Sequence, residues 1–430
     1  MSDARPEVAF VVQRYGEGIT GGSESLARAV AERLACDYRI TVFTSCARDY
    51  VTWRNEMPEG LERLGGVDVR RFPAETERDL EAFNAFAEPL YGRAAAAEGS
   101  PGTDSGQDNG PDNGPDNGQS VGAGLVRRSR ADEHQFLRLQ GPEVPRLVEA
   151  LRAERDRFAA FVFFTYLYYP TYWGLAAVPE RAALVPTTHD EPPLGFSIYR
   201  EVFALPRAFG FLTPAEEALV RRRFDVGSRP VVLTGMGVDL PAAPDQTAFR
   251  ERHGISRPYA IYAGRIDAGK GCAEMLSHHE RYRQERVDAL DLLLIGRLAM
   301  AEPRQQGVRY LGFLSEAEKA AALAGARVVV CPSPFESLSI ALLEGLALGT
   351  PGLVNARSDV LKEHCLRSGA SLYYEDADEY AEALDLLVRD ASLRAALGAS
   401  GRRYVATEYR WDVVLDRWRE LIRAATGERL

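Results

Sequence analysis

The 430-residue chain is poor in the residues that build metal and disulfide frameworks: five cysteines, six histidines and no C-x-x-C pair. Cys36, Cys46, Cys272, Cys331 and Cys365 are odd in number and far apart, which excludes a structural zinc knot and points to a reducing, cytoplasmic setting. Long apolar runs are also missing. Phe158 to Tyr169 is the greasiest stretch, but it ends at Pro170, short of the roughly 20 residues a membrane span needs, and reads as a buried strand. Met1 to Glu7 lacks the charged-then-apolar plan of a secretory leader. Cations are in deficit, 52 Lys and Arg against 62 Asp and Glu, for a net charge of −10. A broad nucleic-acid surface is therefore excluded, and any anion site must be local.

What the chain has is bulk and pattern. At 46% hydrophobic residues it can bury a large core in two or three domains. Strand-like runs at Val8–Val12, Arg39–Ser45, Val67–Phe72, Phe161–Thr165, Ala183–Thr187 and Ala208–Leu212 alternate with helical patterns. A second series follows at Tyr259–Gly264, Leu292–Gly296, Val308–Leu311, Val328–Cys331 and Gly352–Val354. Runs apolar on both faces mark parallel sheets covered by helices, so two doubly wound, Rossmann-like α/β domains are expected in tandem. The Pro- and Ala-rich stretch Met236–Phe249 divides them, giving an N-terminal domain over 1–238 and a C-terminal one over 239–407. Residues 408–430 carry Trp411, Val414, Leu415, Trp418, Leu421 and Ile422 at helical spacing, an amphipathic helix. The Gly/Asp/Asn/Pro tract at 98–124, with its tandem Pro-Asp-Asn-Gly repeat, cannot bury a core and is expected to be a mobile surface insertion.

Gly16, Gly18 and Gly21 spell G-x-G-x-x-G behind the first strand, the dinucleotide fingerprint. A nicotinamide site also needs the first glycine directly at the strand end and a carboxylate ending the second strand. Here Gln13, Arg14 and Tyr15 intervene, and the second strand ends Thr44, Ser45, Cys46. The informative pair is instead Gly21 and Gly22 at a helix start, where backbone N–H groups can meet an anion without a side chain in the way. Ser23 is expected to cap that helix, with Glu24 in its first turn and Leu26, Val30 and Leu34 on its buried face.

The second series carries the stronger signal. In "IYAGRIDAGKG", Ile261–Gly271, a strand ends at Gly264, and Arg265 and Lys270 follow in the loop, two cations at the carboxyl end of a parallel strand where they suit a diphosphate. In "CPSPFESLSIALLEGLALGTPG", a strand and a Pro/Ser turn lead into a helix expected to begin near Ser339. Glu336 lies in the entry turn and Glu344 inside the helix, so entry amides can take phosphate while a carboxylate takes a sugar diol.

G-R-x-D-x-x-K-G, two glutamates separated by seven residues and an N-terminal Gly-Gly-Ser-Glu loop together resemble family 4 of the retaining glycosyltransferases, which have the GT-B fold. The resemblance covers nearly the whole chain outside the 98–124 tract. It implies two domains facing a central cleft, a C-terminal helix crossing back onto the N-terminal domain, and retention of configuration without a metal or other cofactor. It assigns Arg265 and Lys270 to the donor diphosphate, Glu336 to the donor sugar and Glu344 to the nucleotide ribose. Gly264, Gly296, Ser337, Leu338, Ser339 and Ile340 are expected around the same donor, a UDP- or GDP-linked sugar. Gly21 and Gly22 would lie across the cleft near diphosphate and acceptor. The family commonly reads Glu-Gly-Phe-Gly-Leu where this chain has Glu336-Ser337-Leu338-Ser339-Ile340, with serines in both glycine places.

On the acceptor side, "LVPTTHDEPP" ends a strand in His189, which the resemblance turns toward the reacting sugar as hydrogen-bond partner or proton relay, with Asp190 and Glu191 beside it. Thr165, Tyr166 and Tyr169 are candidate acceptor platforms. Asp376 and Asp378 form a D-x-D pair, but they open a helical run and are read as helix-start residues rather than metal ligands. Two arginine clusters, Arg127, Arg128 and Arg130 and Arg221 to Arg223, are candidates for contact with the inner face of an anionic membrane. The expected activity is hexosyl transfer from a nucleotide sugar to a carbohydrate or lipid-linked hydroxyl. A nucleotide-sugar isomerase of the same fold, a dinucleotide oxidoreductase and a silent sugar-nucleotide sensor are the alternatives.

Overall fold

The computed structural model describes residues 5–19, 21–97, 128–239 and 244–427. The tract read as a surface insertion lies outside the described residues, as does Arg127.

The first sheet is built from β1 (Glu7–Val11), β2 (Arg39–Ser45), β3 (Gly60–Leu64), β4 (Val67–Phe72), β5 (Ala160–Phe164), β6 (Ala182–Val185), β7 (Ala208–Phe211) and β8 (Val231–Leu233), in the order β3-β4-β2-β1-β5-β6-β7-β8. Only the β3–β4 pair is antiparallel. The second sheet contains β9 (Tyr259–Ala263), β10 (Asp291–Ile295), β11 (Val308–Tyr310), β12 (Val328–Cys331), β13 (Gly352–Asn355) and β14 (Ser371–Tyr374), all parallel, in the order β11-β10-β9-β12-β13-β14. Strand order reverses between β1 and β5 in one sheet and between β9 and β12 in the other. Crevices open at such reversals, outside the carboxyl ends of the strands.

The sequence explains these elements locally. Every residue of β5 is buried, because helices cover both faces of a central parallel strand. The charged, exposed β3 forms an edge that discourages further pairing. Leu26, Val30 and Leu34 bury one stripe of the helix Gly22–Leu34, as their spacing requires. Ser23 does not cap this helix. The helix begins two residues earlier, with Gly21 as its N-cap, and the Ser23 hydroxyl donates to Glu24 Oε2 at 2.9 Å and accepts from Gln13 Nε2 at 3.0 Å.

The helix Trp411–Thr426 returns to the first sheet and packs across β5 to β8. Val414, Trp418, Leu421 and Ile422 are buried there, and Trp418 stacks on Phe164 with ring centroids 5.8 Å apart. Each such aliphatic side chain contributes roughly 1.5–3 kcal/mol by leaving water. Trp411 stays half-buried, its ring 3.9 Å from the Arg33 guanidinium and against Gly237, where any side chain would overlap it. One apolar cluster runs from the first sheet through this helix into the second domain.

Candidate functional site

Between the two strand reversals lies a cavity of about 220 Å³. Gly22, Ser23, Thr187 and Met236 line it from one side, and Gly264, Arg265, Lys270 and the Glu336–Ala341 turn from the other. Its walls are thus the loops that follow β1, β6, β9 and β12, which the topology brings face to face.

Asp267 organises the two cations. Its carboxylate accepts from Arg265 Nε and, at 2.8 Å, from the Lys270 backbone N–H. The Lys270 ammonium then reaches Glu336 Oε1 at 2.7 Å, joining the loop after β9 to the turn after β12. Arg265 also crosses the cleft, donating from a terminal nitrogen to the Tyr50 hydroxyl at 3.2 Å. The Tyr50 ring lies between Arg265 and Arg14, at 5.7 and 5.4 Å from their guanidinium carbons. Gly264 and Gly296 touch back to back, so a Cβ on Gly296 would overlap the Gly264 carbonyl and push the arginine loop outward.

The turn after β12 ends on Ser339, whose φ of 65° and ψ of 72° are left-handed, and the helix Ile340–Leu348 starts directly after it. Glu344 sits one turn inside, buried and 2.8 Å from Lys319 Nζ. Burial raises its carboxyl above the usual range, against the opposing pull of Lys319.

On the facing domain, His189 lies with Nε2 3.4 Å from Glu191 Oε2, and its ring faces Phe335, centroids 5.9 Å apart. Burial pushes this imidazole down, but the Glu191 carboxylate outweighs it and the net shift is upward. Tyr166 is buried, and its hydroxyl donates to Glu191 Oε1 at 2.8 Å. It therefore props the partner of His189 rather than forming an open platform. Asp190 turns away to Arg223 at 3.0 Å. Glu216, fully buried, accepts from the Thr188 N–H at 2.6 Å and the Leu212 N–H at 2.7 Å, fixing the peptide just ahead of His189. Thr165 and Thr187, at the ends of β5 and β6, both have positive φ, 65° and 50°, and the Thr187 hydroxyl donates to Thr165 Oγ1 at 3.1 Å.

The two loop glycines differ in role. A Cβ on Gly22 would meet nothing within 4 Å, so this position is open to the cleft. One on Gly21 would overlap the Glu24 carboxylate, which Arg14 Nε holds at 2.9 Å. Gly22 therefore serves approach and Gly21 serves packing.

The structure brings Gly22, Gly264, Arg265, Lys270, Glu336, Ser337, Leu338, Ser339 and Ile340 around one cavity, with His189 across from Phe335. Gly21, Asp190, Gly296 and Glu344 are not among its lining residues. Glu191, read beside His189 in the sequence, lies against its ring; Asp267, Glu216 and Tyr50 take part without having been assigned roles from sequence, and of these only Asp267, inside the G-R-x-D-x-x-K-G motif, left a readable signal. Elsewhere, Asp376 caps the helix Ala377–Arg389 by accepting from the Glu379 N–H at 2.9 Å, and Asp378 pairs with Arg281. Of the arginine clusters, Arg128 points inward to Glu133 and the Phe196 ring, while Arg130, Arg221, Arg222 and Arg223 pair with Glu201, Glu217, Asp359 and Asp190. No helix among the described residues is long and apolar enough to cross a membrane.

Two doubly wound domains facing a cleft, with the last helix returning to the first domain, make up the GT-B fold. Residues 245–404, most of the C-terminal domain, match the family described as "Glycosyl transferases group 1". Among sequence relatives, the chain is 27% identical over 209 residues to a GDP-mannose-dependent monoacylated alpha-(1-6)-phosphatidylinositol monomannoside mannosyltransferase of Corynebacterium glutamicum, covering 44% of this chain and 55% of that one. It is 29% identical over 260 residues to a phosphatidyl-myo-inositol mannosyltransferase of Propionibacterium freudenreichii, covering 57% and 65%. The chain thus spans about half to two thirds of the length of these relatives. Among solved structures, sucrose-phosphate synthase from Thermosynechococcus elongatus superimposes with a TM-score of 0.67 at 17% identity, over 99% of this chain and 100% of that one. The UDP-forming alpha,alpha-trehalose-phosphate synthase of Burkholderia vietnamiensis gives 0.65 at 14%, over 99% of both.

Proposed function

We propose that the chain is a retaining, metal-independent glycosyltransferase that moves a hexose from a nucleotide-diphosphate sugar to a hydroxyl acceptor. The convergence of Arg265, Lys270 and Glu336 on one cavity carries this reading. Departure of a nucleoside diphosphate develops negative charge on phosphate while the sugar becomes oxocarbenium-like, so stabilisation must be preorganised at the leaving group. Arg265 and Lys270, aligned by Asp267, supply two fixed cations there. Glu336 takes the sugar end, and the family resemblance gives the ribose diol to Glu344, which is buried beside Lys319 inside the helix. His189 faces the reacting centre from the other domain, where it can hold or pass the acceptor proton while Glu191 and Tyr166 orient its ring. The GDP-mannose dependence named for one relative makes a GDP- or UDP-linked hexose the donor class. The setting proposed is glycan or glycolipid assembly in the cytoplasm.

The test is a panel of nucleotide sugars incubated with and without saccharide and inositol-lipid acceptors. Release of nucleoside diphosphate that needs an acceptor is expected; turnover of donor alone into a rearranged sugar would replace the transferase by an isomerase. Lys270→Ala and Arg265→Ala should each lower turnover by about 10²- to 10³-fold with the thermal midpoint unchanged, the range for removing one preorganised charge stabiliser.

A further inference from the structure

Outside the cleft, the second domain buries a histidine that the proposed chemistry leaves unused. His364, in the helix Asp359–Ser368, has Nε2 2.9 Å from the Leu338 carbonyl oxygen and Nδ1 2.9 Å from the Tyr404 hydroxyl, which is itself 3.3 Å from the Tyr409 hydroxyl. A carbonyl can only accept, so Nε2 carries the ring proton. Nδ1 of the neutral ring then accepts, and Tyr404 must donate to it. Having used its one hydrogen, the Tyr404 oxygen is left to accept from Tyr409. Burial pushes the imidazole down to about 4, in keeping with this neutral chain.

The two ends of the chain give it meaning. Leu338 lies in the turn between Glu336 and the left-handed Ser339 and lines the cleft cavity. Tyr409 closes the helix Ala391–Glu408, and its carbonyl accepts the Val238 N–H at 2.9 Å, where the chain crosses from the second domain to the first. Its ring packs against Gly235 of the first domain.

We propose that His364 is a positioning residue that fixes the Glu336–Ser339 turn through the Leu338 carbonyl and ties that turn to the domain crossing at Tyr409. The inference rests on the transferase reading of the cleft for its consequence, which is register between the donor-sugar glutamate and the acceptor domain. A buried carbonyl without its donor leaves the turn free to tilt, and Glu336 tilts with it.

The experiment compares wild type with His364→Phe, His364→Gln and Tyr404→Phe in four measurements: amide hydrogen exchange of residues 336–340, nucleoside diphosphate affinity, kcat with the donor the panel identifies, and thermal midpoint. His364→Phe is expected to speed exchange across the turn and lower kcat by about tenfold, with nucleotide affinity, set by Arg265 and Lys270, within about threefold. The Gln side-chain amide can still donate to the Leu338 carbonyl, so His364→Gln should recover most of the kcat. Tyr404→Phe should fall between them. Unchanged exchange in the turn, or equal losses of kcat and nucleotide affinity in the Phe and Gln variants, would overturn the proposal. If His364→Phe does not fold, Tyr404→Phe decides: wild-type exchange and kcat there also overturn it. Failure of wild type to turn over any nucleotide sugar would sink the transferase reading instead, and the exchange measurement would still judge the positioning role.

Discussion

Ser339 sits at a backbone position, φ 65°, that the resembled family commonly fills with glycine. A side chain in the left-handed region costs on the order of 1 kcal/mol or more, and such strain gathers where a site needs it. Thr165 and Thr187 carry the same kind of strain at the facing strand ends, and two of the four non-glycine residues with positive φ among those described, Thr187 and Ser339, line the cavity. Ser339→Gly is expected to raise the thermal midpoint of the second domain by about 2–4 °C per kcal/mol relieved, measured by scanning calorimetry. A midpoint that falls would mean the serine hydroxyl contributes more than its backbone costs. The charged residues of the donor site were legible because their chemistry is tied to spacing: Arg265 and Lys270 share one loop, and Glu336 and Glu344 share one turn and helix. Glu216 and Tyr50 were not, because each acts on a partner brought close only by tertiary packing; Tyr50 and Arg265 are 215 positions apart. A left-handed threonine has no sequence signature at all.

At the scale of elements, the central strands were readable because burial on both faces writes an unbroken apolar run. β3, β8 and β14 escaped. β3 is charged and pairs at an exposed edge, while β8 and β14 are short strands at sheet ends, only partly buried and so without an unbroken apolar run. Helices of the second domain hold two buried histidines by a shared scheme, a backbone carbonyl at Nε2 and a tyrosine hydroxyl at Nδ1: His364, and His279 with Leu290 and Tyr380. Burial, the largest cause for each, pushes His279 down to about 3 and His364 down to about 4. Their ordinary value in the unfolded chain is near 6.5. Below that pH the unfolded state takes up protons the fold refuses, so stability from these groups is complete above about pH 6.5 and is lost as pH falls toward 4. Urea unfolding from pH 7 to pH 5 should show this loss, and His279→Gln, which does not titrate, should reduce the slope by up to one proton. An identical slope in the variant would show that His279 is protonated in the folded protein.

At the scale of the whole molecule, the two domains meet across the cleft through few polar links. Arg265 to Tyr50 is one, and the Glu363 carboxylate on the Ala215 N–H, at the start of the helix Pro214–Arg223, is another. A hydrogen bond from a charged donor is worth roughly 1.5–3 kcal/mol net, so Tyr50→Phe should lower kcat/KM for the donor by about tenfold or more while leaving the thermal midpoint in place. Steady-state kinetics of the variant check this, and wild-type kcat/KM would show that the link forms only in the unliganded protein. Facing strand reversals explain why so much of the site could be placed from the chain alone. Once two doubly wound sheets are recognised, the loops that carry their ligands follow from strand order. The relative seating of the sheets does not follow, and the cross-cleft contacts are where the reading stopped.

The return of the helix Trp411–Thr426 to β5 through β8 also constrains how the protein is made. Synthesis proceeds from the amino end, and domains generally fold as they emerge. The first domain is complete in sequence long before Trp418 leaves the ribosome, yet the face of its sheet on which Phe164 meets Trp418 and Gly210 meets Leu421 stays uncovered until then. The second domain can close on its own while the first waits with an apolar face exposed. The nascent chain therefore matures in reverse order of its domains, and its most vulnerable interval is the one before the helix Trp411–Thr426 emerges.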